Sequence, residues 1–345
     1  MSKRKVLIVD DSAVIRTVLK TILTKASFQV VGEAGDPYEA RDLIVRHNPD
    51  VVTLDLDMPR MDGLTFLEKL MAYHPLPVVI LSSLAQENSD LALKALELGA
   101  VAVVEKPEGD TKEKFAHSAF ERFVEVVEAA SKAKPRAYRE PAQIKRKDKE
   151  KSGKLSDCLV VLGASLGGTE ALAEVLRTLP PDLPGVLMVQ HMPEKFTQSF
   201  ARRLDRISQL RVKEAQTGDQ VMDGWAYLAP GGFHLAVNRK GQGFELELRK
   251  GDPVNHVKPS VDVLFTTAAE AAGSKVLAAL FTGMGKDGAD GMLALRDRGA
   301  MTLAQDADSC VVYGMPKEAV AREAVVKTVL LSEMAETISR EIKKL

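Results

Sequence analysis

Short apolar runs alternate with helix-length amphipathic segments along most of the chain. In the first third the runs are VLIV (6–9), FQVV (28–31), VVTL (51–54), VVIL (78–81) and VAVV (101–104). Between them lie segments such as SAVIRTVLKTIL and DLALKALELGA, whose apolar residues recur at helical spacing. Five β/α alternations predict an α/β fold with a doubly wound, five-stranded parallel sheet and helices on both faces.

The second half repeats the alternation with different punctuation. CLVVLGAS reads as a buried strand, GGTEALAEVLRTL as the helix after it, VLMVQH as the next strand and VLAALF (276–281) as a later one. HLAVN and FELELRK, joined by RKGQG, read as an antiparallel hairpin. This half is expected to be a Rossmann-like α/β domain with a mostly parallel sheet. Residues 131–154, SKAKPRAYREPAQIKRKDKEKSGK, are basic, carry two prolines and have almost no large apolar residue. Such a stretch buries too little surface to offset its ordering entropy, so it reads as a flexible linker. The division is therefore 1–130, the linker 131–154, and 155–345.

Composition narrows the class. With 345 residues, 45% hydrophobic and 28% charged, the chain suits two soluble domains. No apolar run approaches the roughly 18–20 residues that span a bilayer, and the start MSKRKVLIVDD has too short an apolar region for a signal peptide. A net charge of −1 predicts no general affinity for nucleic acid or anionic membrane. The two cysteines, Cys158 and Cys310, make no disulfide framework and read as buried small hydrophobes of a reducing compartment. A cytoplasmic protein is expected.

Chemistry gathers at the strand ends. Asp10 and Asp11 follow VLIV, Asp55 follows VVTL, Ser82 follows VVIL and Lys106 follows VAVV. In a doubly wound sheet, ligands bind beyond the carboxyl ends of the strands. Three clustered carboxylates suit Mg²⁺ with oxygen ligands, while a lysine and a hydroxyl suit phosphoryl oxygens. Each position also has an ordinary reading: Asp11 or Ser12 as a helix cap, Lys106 as a loop residue. With DD, LDLDMPRMDG, a strand-end Ser and KP in order, residues 3–128 resemble a response-regulator receiver domain, which has the flavodoxin-like fold. The resemblance implies that Asp55 accepts a phosphoryl group from a histidine kinase, that Asp10, Asp11 and Asp55 hold Mg²⁺, and that Ser82 and Lys106 sense the phosphoryl group. Receivers often carry an aromatic switch residue where this chain has Val103.

In the second half, Ser165 lies in GASLGGTEA, which satisfies G-x-S-x-G between a strand and a helix. Gly163, Gly167 and Gly168 allow a tight turn there, and the helix start offers free amides. A serine needs a base, and His191, ending VLMVQH, arrives at the same edge. An acid to orient it is sought in TGMGKDGADG, where Asp287 and Asp290 both qualify; Asp290 sits deeper in the following helix, where capping is its ordinary role. Gly283, Met284 and Gly285 form a loop whose amides can face an oxyanion. The order Ser, His, Asp differs from that of α/β-hydrolases, and GASLGG does not match the dinucleotide pattern G-x-G-x-x-G. 

The motifs GASLGGTEAL, VQHMP, YLAPGGFHL, KPSVDVLF, FTGMGKDGADG and VVYGMPKEA make residues 157–344 similar to the catalytic domain of chemotaxis protein-glutamate methylesterases, which are also glutamine deamidases. The likeness implies Ser165 as nucleophile, His191 as base, Asp287 as orienting acid and the Met284 amide in the oxyanion hole, with no metal in ester hydrolysis. Leu166 stands where the family commonly has Thr. The implied substrates are methylated chemoreceptors and the implied phosphodonor is a chemotaxis histidine kinase. A monomer is expected that meets the membrane only through receptors, its first domain covering the Ser165 cleft until Asp55 is phosphorylated. A receiver-type transcription factor and a non-catalytic binding module are the alternatives; the first lacks a helix-turn-helix with a basic recognition helix.

Overall fold

The computed structural model describes residues 3–58, 60–82, 86–106, 117–133 and 154–345. The chain separates into two compact units, Met1–Glu140 and Pro141–Leu345. Most of the expected linker, 134–153, lies outside the described residues. Ser131 and Ala133 are buried, and Arg4 Nη1 donates to the Ser131 carbonyl at 3.3 Å. Among the described residues no helix is long and apolar enough to cross a membrane.

The first unit runs β1 (Lys5–Val9), α1 (Ala13–Lys25), β2 (Gln29–Ala34), α2 (Pro37–His47), β3 (Val51–Asp55), α3 (Gly63–Tyr73), β4 (Val78–Ser82), α4 (Gln86–Glu97), β5 (Ala102–Glu105) and α5 (His117–Ala130). The strands are all parallel in the order β2-β1-β3-β4-β5. The order reverses between β1 and β3, which is where such sheets bind ligands. Local signals mark the helix ends. Ser12, rather than Asp11, caps α1 by accepting from the Ile15 amide at 3.4 Å. Asp36 caps α2 just before Pro37, and Asn48 ends it in the left-handed conformation.

The second unit runs β6 (Leu159–Ala164), α6 (Gly168–Thr178), β7 (Val186–Gln190), α7 (Glu194–Ile207), β8 (Arg211–Glu214), β9 (Trp225–Leu228), β10 (His234–Lys240), β11 (Gly243–Arg249), α8 (Val261–Ala272), β12 (Val276–Leu280), α9 (Ala289–Asp297), β13 (Met301–Gln305), α10 (Met315–Ala321), β14 (Lys327–Val329) and α11 (Leu331–Glu341). Seven parallel strands lie in the order β14-β13-β12-β6-β7-β9-β8. The chain moves outward from β6 through β7, then returns to place β12 on the other side of β6. The residues after β6 and β12 therefore meet at the switch in strand order.

The antiparallel hairpin β10–β11 turns at Gly241–Gln242, with Lys240 paired to Gly243. Its apolar face, Leu235, Val237, Phe244 and Leu246, joins Leu264, Phe265 and Ala268 of α8 in one core. The hairpin thus fixes α8, whose start lies against β6. A Cβ on Gly163 would come within 2.3 Å of Val261 Cγ1, so the last turn of β6 admits only glycine beside the first residue of α8. Cys158 and Cys310 are buried thiols, and burial pushes the Cys158 thiol up to about 11, which suits packing rather than reactivity. Gly163→Ala is expected to cost about 1–3 kcal/mol through overpacking of the β6–α8 contact, read as a lower urea midpoint with an unchanged slope.

Candidate active site

In the first unit the strand ends bring five expected residues to one edge. Asp10 and Asp55 are fully buried, Asp11 is exposed beside them, and candidate ligand oxygens of the three carboxylates lie within 4.8 Å of one another. Lys106 Nζ donates to Asp55 Oδ2 at 2.7 Å and is ion-paired with Asp10 Oδ2 at 3.0 Å. Burial pushes the Asp55 carboxyl up to about 6 against the pull of Lys106, and Asp10 adds to the rise. Burial raises Asp10 as well. One lysine therefore leaves the cluster short of positive charge, and the oxygen-only donor set fits a hard dication. Ser82 is buried at the end of β4, and its carbonyl accepts from the Lys106 amide at 2.8 Å. Val103 is half-buried in β5 opposite Ile80.

Two supports went unnoticed in the sequence. Arg16 Nη1, one turn into α1, donates to the carbonyls of Asp10 at 2.7 Å and Asp11 at 3.0 Å, holding the β1 end. Gly63 lies so close to the β3 end that a Cβ would come 2.4 Å from the Asp55 carbonyl oxygen. The Asp-Gly pair in LDLDMPRMDG was the available signal.

In the second unit Ser165 follows β6, His191 follows β7, and Asp287 lies in the loop after β12. The Ser165 amide donates to the Thr282 carbonyl at 3.0 Å, and its own carbonyl accepts from Gln190 Nε2 at 2.8 Å. The His191 amide donates to the Ala164 carbonyl at 3.1 Å, which pins the end of β7 beside the serine turn. Gly283 comes against that turn from β12; a Cβ there would lie 2.6 Å from Ser165 Cβ. Gly167 takes φ +73° with Val311 packed against it, so the turn needs glycine on both counts.

His191 Nε2 donates to Asp287 Oδ2 at 2.8 Å, with both side chains almost wholly buried. Because Nε2 faces a carboxylate it carries the hydrogen, which leaves Nδ1 as the nitrogen with a free lone pair. Asp287 Oδ2 also accepts from the Val261 amide at 2.6 Å, and Oδ1 from Ser260 Oγ at 2.7 Å and Asn255 Nδ2 at 3.0 Å. Burial alone would raise this carboxyl, but His191, Ser260 and Asn255 outweigh it and hold it at about 2. The start of α8 adds a positive partial charge. Asp290, the other sequence candidate, is exposed in the first turn of α9 and pairs with Arg322; the helix is capped by Gly288, so the capping role expected of Asp290 is not the one it fills.

Among the described residues the Met284 backbone N–H donates to no protein acceptor. Leu166 is half-buried, and its carbonyl accepts from Thr282 Oγ1 at 2.9 Å. The supporting side chains Asn255, Ser260, Thr282, Gln190 and His234 were not found from the sequence. His234 opens β10, and its Nδ1 accepts from the Ser260 amide at 3.1 Å, which ties the hairpin to the site.

A buried acid–imidazole pair beside a serine turn at the end of β6 is the arrangement of acyl transfer. Comparison with known proteins gives the same direction. The CheB methylesterase family model matches residues 160–338, and the response regulator receiver domain model matches 6–115. The chain belongs to the CheB methylesterase family. A relative from Chromohalobacter salexigens, named protein-glutamate methylesterase/protein-glutamine glutaminase, is 48% identical over 96% of this chain and 94% of its own. A Rhodopseudomonas palustris relative of the same name, from a group 3 operon, is 48% identical over 99% of this chain and 96% of its own. Among solved structures, the CheB methylesterase catalytic domain of Thermotoga maritima matches 55% of this chain and 100% of its own, with 38% identity and a TM-score of 0.53. That likeness agrees with the α/β architecture of the second unit of this CheB-family chain.

The depressed Asp287 carboxyl has a consequence for stability. Its folded-state pKa lies below the ordinary 3.8, so its contribution is fully present above about pH 4 and is lost as pH falls toward about 2. Asp287→Asn is therefore expected to lower the urea midpoint at neutral pH, and the gap to the wild-type chain should close across that acid window.

Proposed function

We propose that this chain is a phosphorylation-activated serine hydrolase that demethylates glutamate γ-methyl esters on chemoreceptors and deamidates glutamines there. The buried His191–Asp287 pair, on the strand ends that flank Ser165, is the observation that carries the reading. Ser165 Oγ attacks the ester carbonyl while His191 Nδ1 takes its proton. Asp287 stays ionised at neutral pH, holds the imidazole in that tautomer and stabilises the imidazolium. The developing oxyanion meets the Met284 N–H. Collapse expels methanol, protonated by His191; water then attacks the acyl-enzyme by the same steps and leaves a free glutamate. With a glutamine substrate the first leaving group is ammonia, a harder departure than methanol.

Ser165→Ala is expected to lower methanol release from methylated receptor fragments by at least about a thousandfold, as for loss of a serine nucleophile elsewhere. Undiminished release by that variant would remove the serine mechanism.

In the first unit Asp55 is the phosphoryl acceptor, served by a chemotaxis histidine kinase. Asp10, Asp11 and Asp55 would hold Mg²⁺, which supplies charge compensation to the incoming phosphoryl group. A phosphoryl group adds roughly −1.5 to −2 charges beside Lys106 and Ser82, and these two residues read its arrival. This reading makes the protein a cytoplasmic monomer with no nucleic-acid partner, at the membrane only through its receptor substrates. Residues 1–130, 131–154 and 155–345 then serve as receiver, linker and hydrolase.

Acetyl phosphate with Mg²⁺ should raise methanol release by the wild-type chain and leave Asp55→Asn unchanged. Removal of residues 1–130 should raise the basal rate. A truncated chain no faster than the resting full-length protein would discard restraint by the receiver while leaving the hydrolase reading intact.

A further inference from the structure

Between β11 and α8 the chain makes a tight two-residue turn. Val254 and Val257 exchange both backbone hydrogen bonds, at 3.1 and 3.0 Å, around Asn255 and His256. Both central residues are left-handed, at φ 51° and 64°, the requirement of a primed turn. Val254 and His256 are exposed, yet Asn255 is half-buried and reaches inward. Its Nδ2 donates to Asp287 Oδ1 at 3.0 Å and to Asp262 Oδ2 at 2.8 Å. Asp262 is buried in the first turn of α8, and its Oδ1 accepts from the Gly291 amide at 2.7 Å. Two buried carboxylates thus meet across one amide group, and only the NH₂ end of that amide can face both.

We infer that Asn255 is a positioning residue for the proposed reaction, its amide separating Asp287 from a second buried carboxylate, Asp262, and keeping Asp287 ionised and aimed at His191. The inference rests on the hydrolase reading only in that Asp287 serves Ser165 through His191. Burial raises the Asp262 carboxyl, and the nearby Asp287 charge adds to the rise; this marks the like-charge repulsion that the amide offsets. The titratable groups around Asp287 are few. His191 faces it from the end of β7 and Asp262 from α8, while His234 of β10 acts through Ser260. Lys286 and Asp290 are exposed on the flanking loop and helix, and His256 is exposed in the turn.

Asn255→Asp tests charge while keeping shape, because aspartate also tolerates the left-handed conformation. It replaces a shared donor by a third carboxylate, so a proton is retained among the three to higher pH. The activated serine should then lose reactivity from the acid side. Asn255→Asp combined with Asp262→Asn restores the count of carboxylates and returns one amide to the cluster.

The full-length wild-type, Asn255→Asp and double-variant chains, each held with acetyl phosphate and Mg²⁺, are treated with a fluorophosphonate reagent, and the labelling rate of Ser165 is followed from about pH 4 to about pH 9. The acid limb of Asn255→Asp should move up by at least about one pH unit, a tenfold rate loss on that limb, and the double variant should move back toward the wild type. A single variant labelled within about twofold of wild type on an unmoved limb overturns the inference. So does a uniform slowing with no limb shift, which marks a purely structural turn, or a double variant no different from the single. Absence of labelling in the wild-type chain overturns the activated serine and this inference with it. Labelling without methanol release from methylated receptor overturns the methylesterase reading and leaves the positioning role standing.

Discussion

A carboxylate taken out of water must be given its donors by the protein, and Asp287 is where the second unit meets that demand. Burial alone would raise its pKa, yet its carboxyl is held at about 2. The donors come from four separate places: the end of β7, the start of α8, and the Ser260 and Asn255 side chains ahead of that helix. Each donor constrains something larger. The start of α8 reaches Asp287 only because Gly163 lets Val261 approach β6. Ser260 is held in turn by His234 at the opening of the hairpin. The hairpin, the long return from β9 to β12 and the switch in strand order all serve the same small volume.

Much of this placement was legible because strand ends are legible. Apolar runs of four to six residues mark buried parallel strands, and the polar residue that ends each run lands at the ligand-binding edge. That logic located Asp10, Asp55, Ser82 and Lys106 in one unit, and Ser165, His191 and Asp287 in the other. It left both Asp287 and Asp290 at the active edge, with Asp290 deeper in the helix, and the family likeness chose Asp287. The hairpin was legible as well, from its alternation. Its part in the site was not.

What escaped has a common physical reason. Asn255, Ser260 and Thr282 act through side-chain hydrogen bonds to residues distant in sequence, and each has an ordinary local job. Ser260 is a helix cap that accepts from the Val263 amide, and it donates its one hydroxyl hydrogen to Asp287 as well. Asn255 fills a left-handed turn position that asparagine favours for backbone reasons alone. Gln190 ends a strand and gives its amide hydrogens to the Ser165 and His191 carbonyls. A pattern read along one dimension finds the turn and the cap; the second bond of each exists only once the sheet has closed.

The two units solve the problem of a buried carboxylate in opposite ways, and the difference follows from what each is surrounded by. Asp55 is buried with one lysine bond, one weak amide at 3.3 Å and the like charge of Asp10, so its carboxyl rises to about 6. Asp287 has an imidazole, a hydroxyl, an amide side chain and a helix start, and it falls to about 2. The first is left short of compensation by the fold, so a cation and a change of charge at that point alter its surroundings most. The second is already saturated with donors, so it stays charged, as the proposed orienting role requires. A switch needs the unsaturated site, and a hydrolase needs the saturated one.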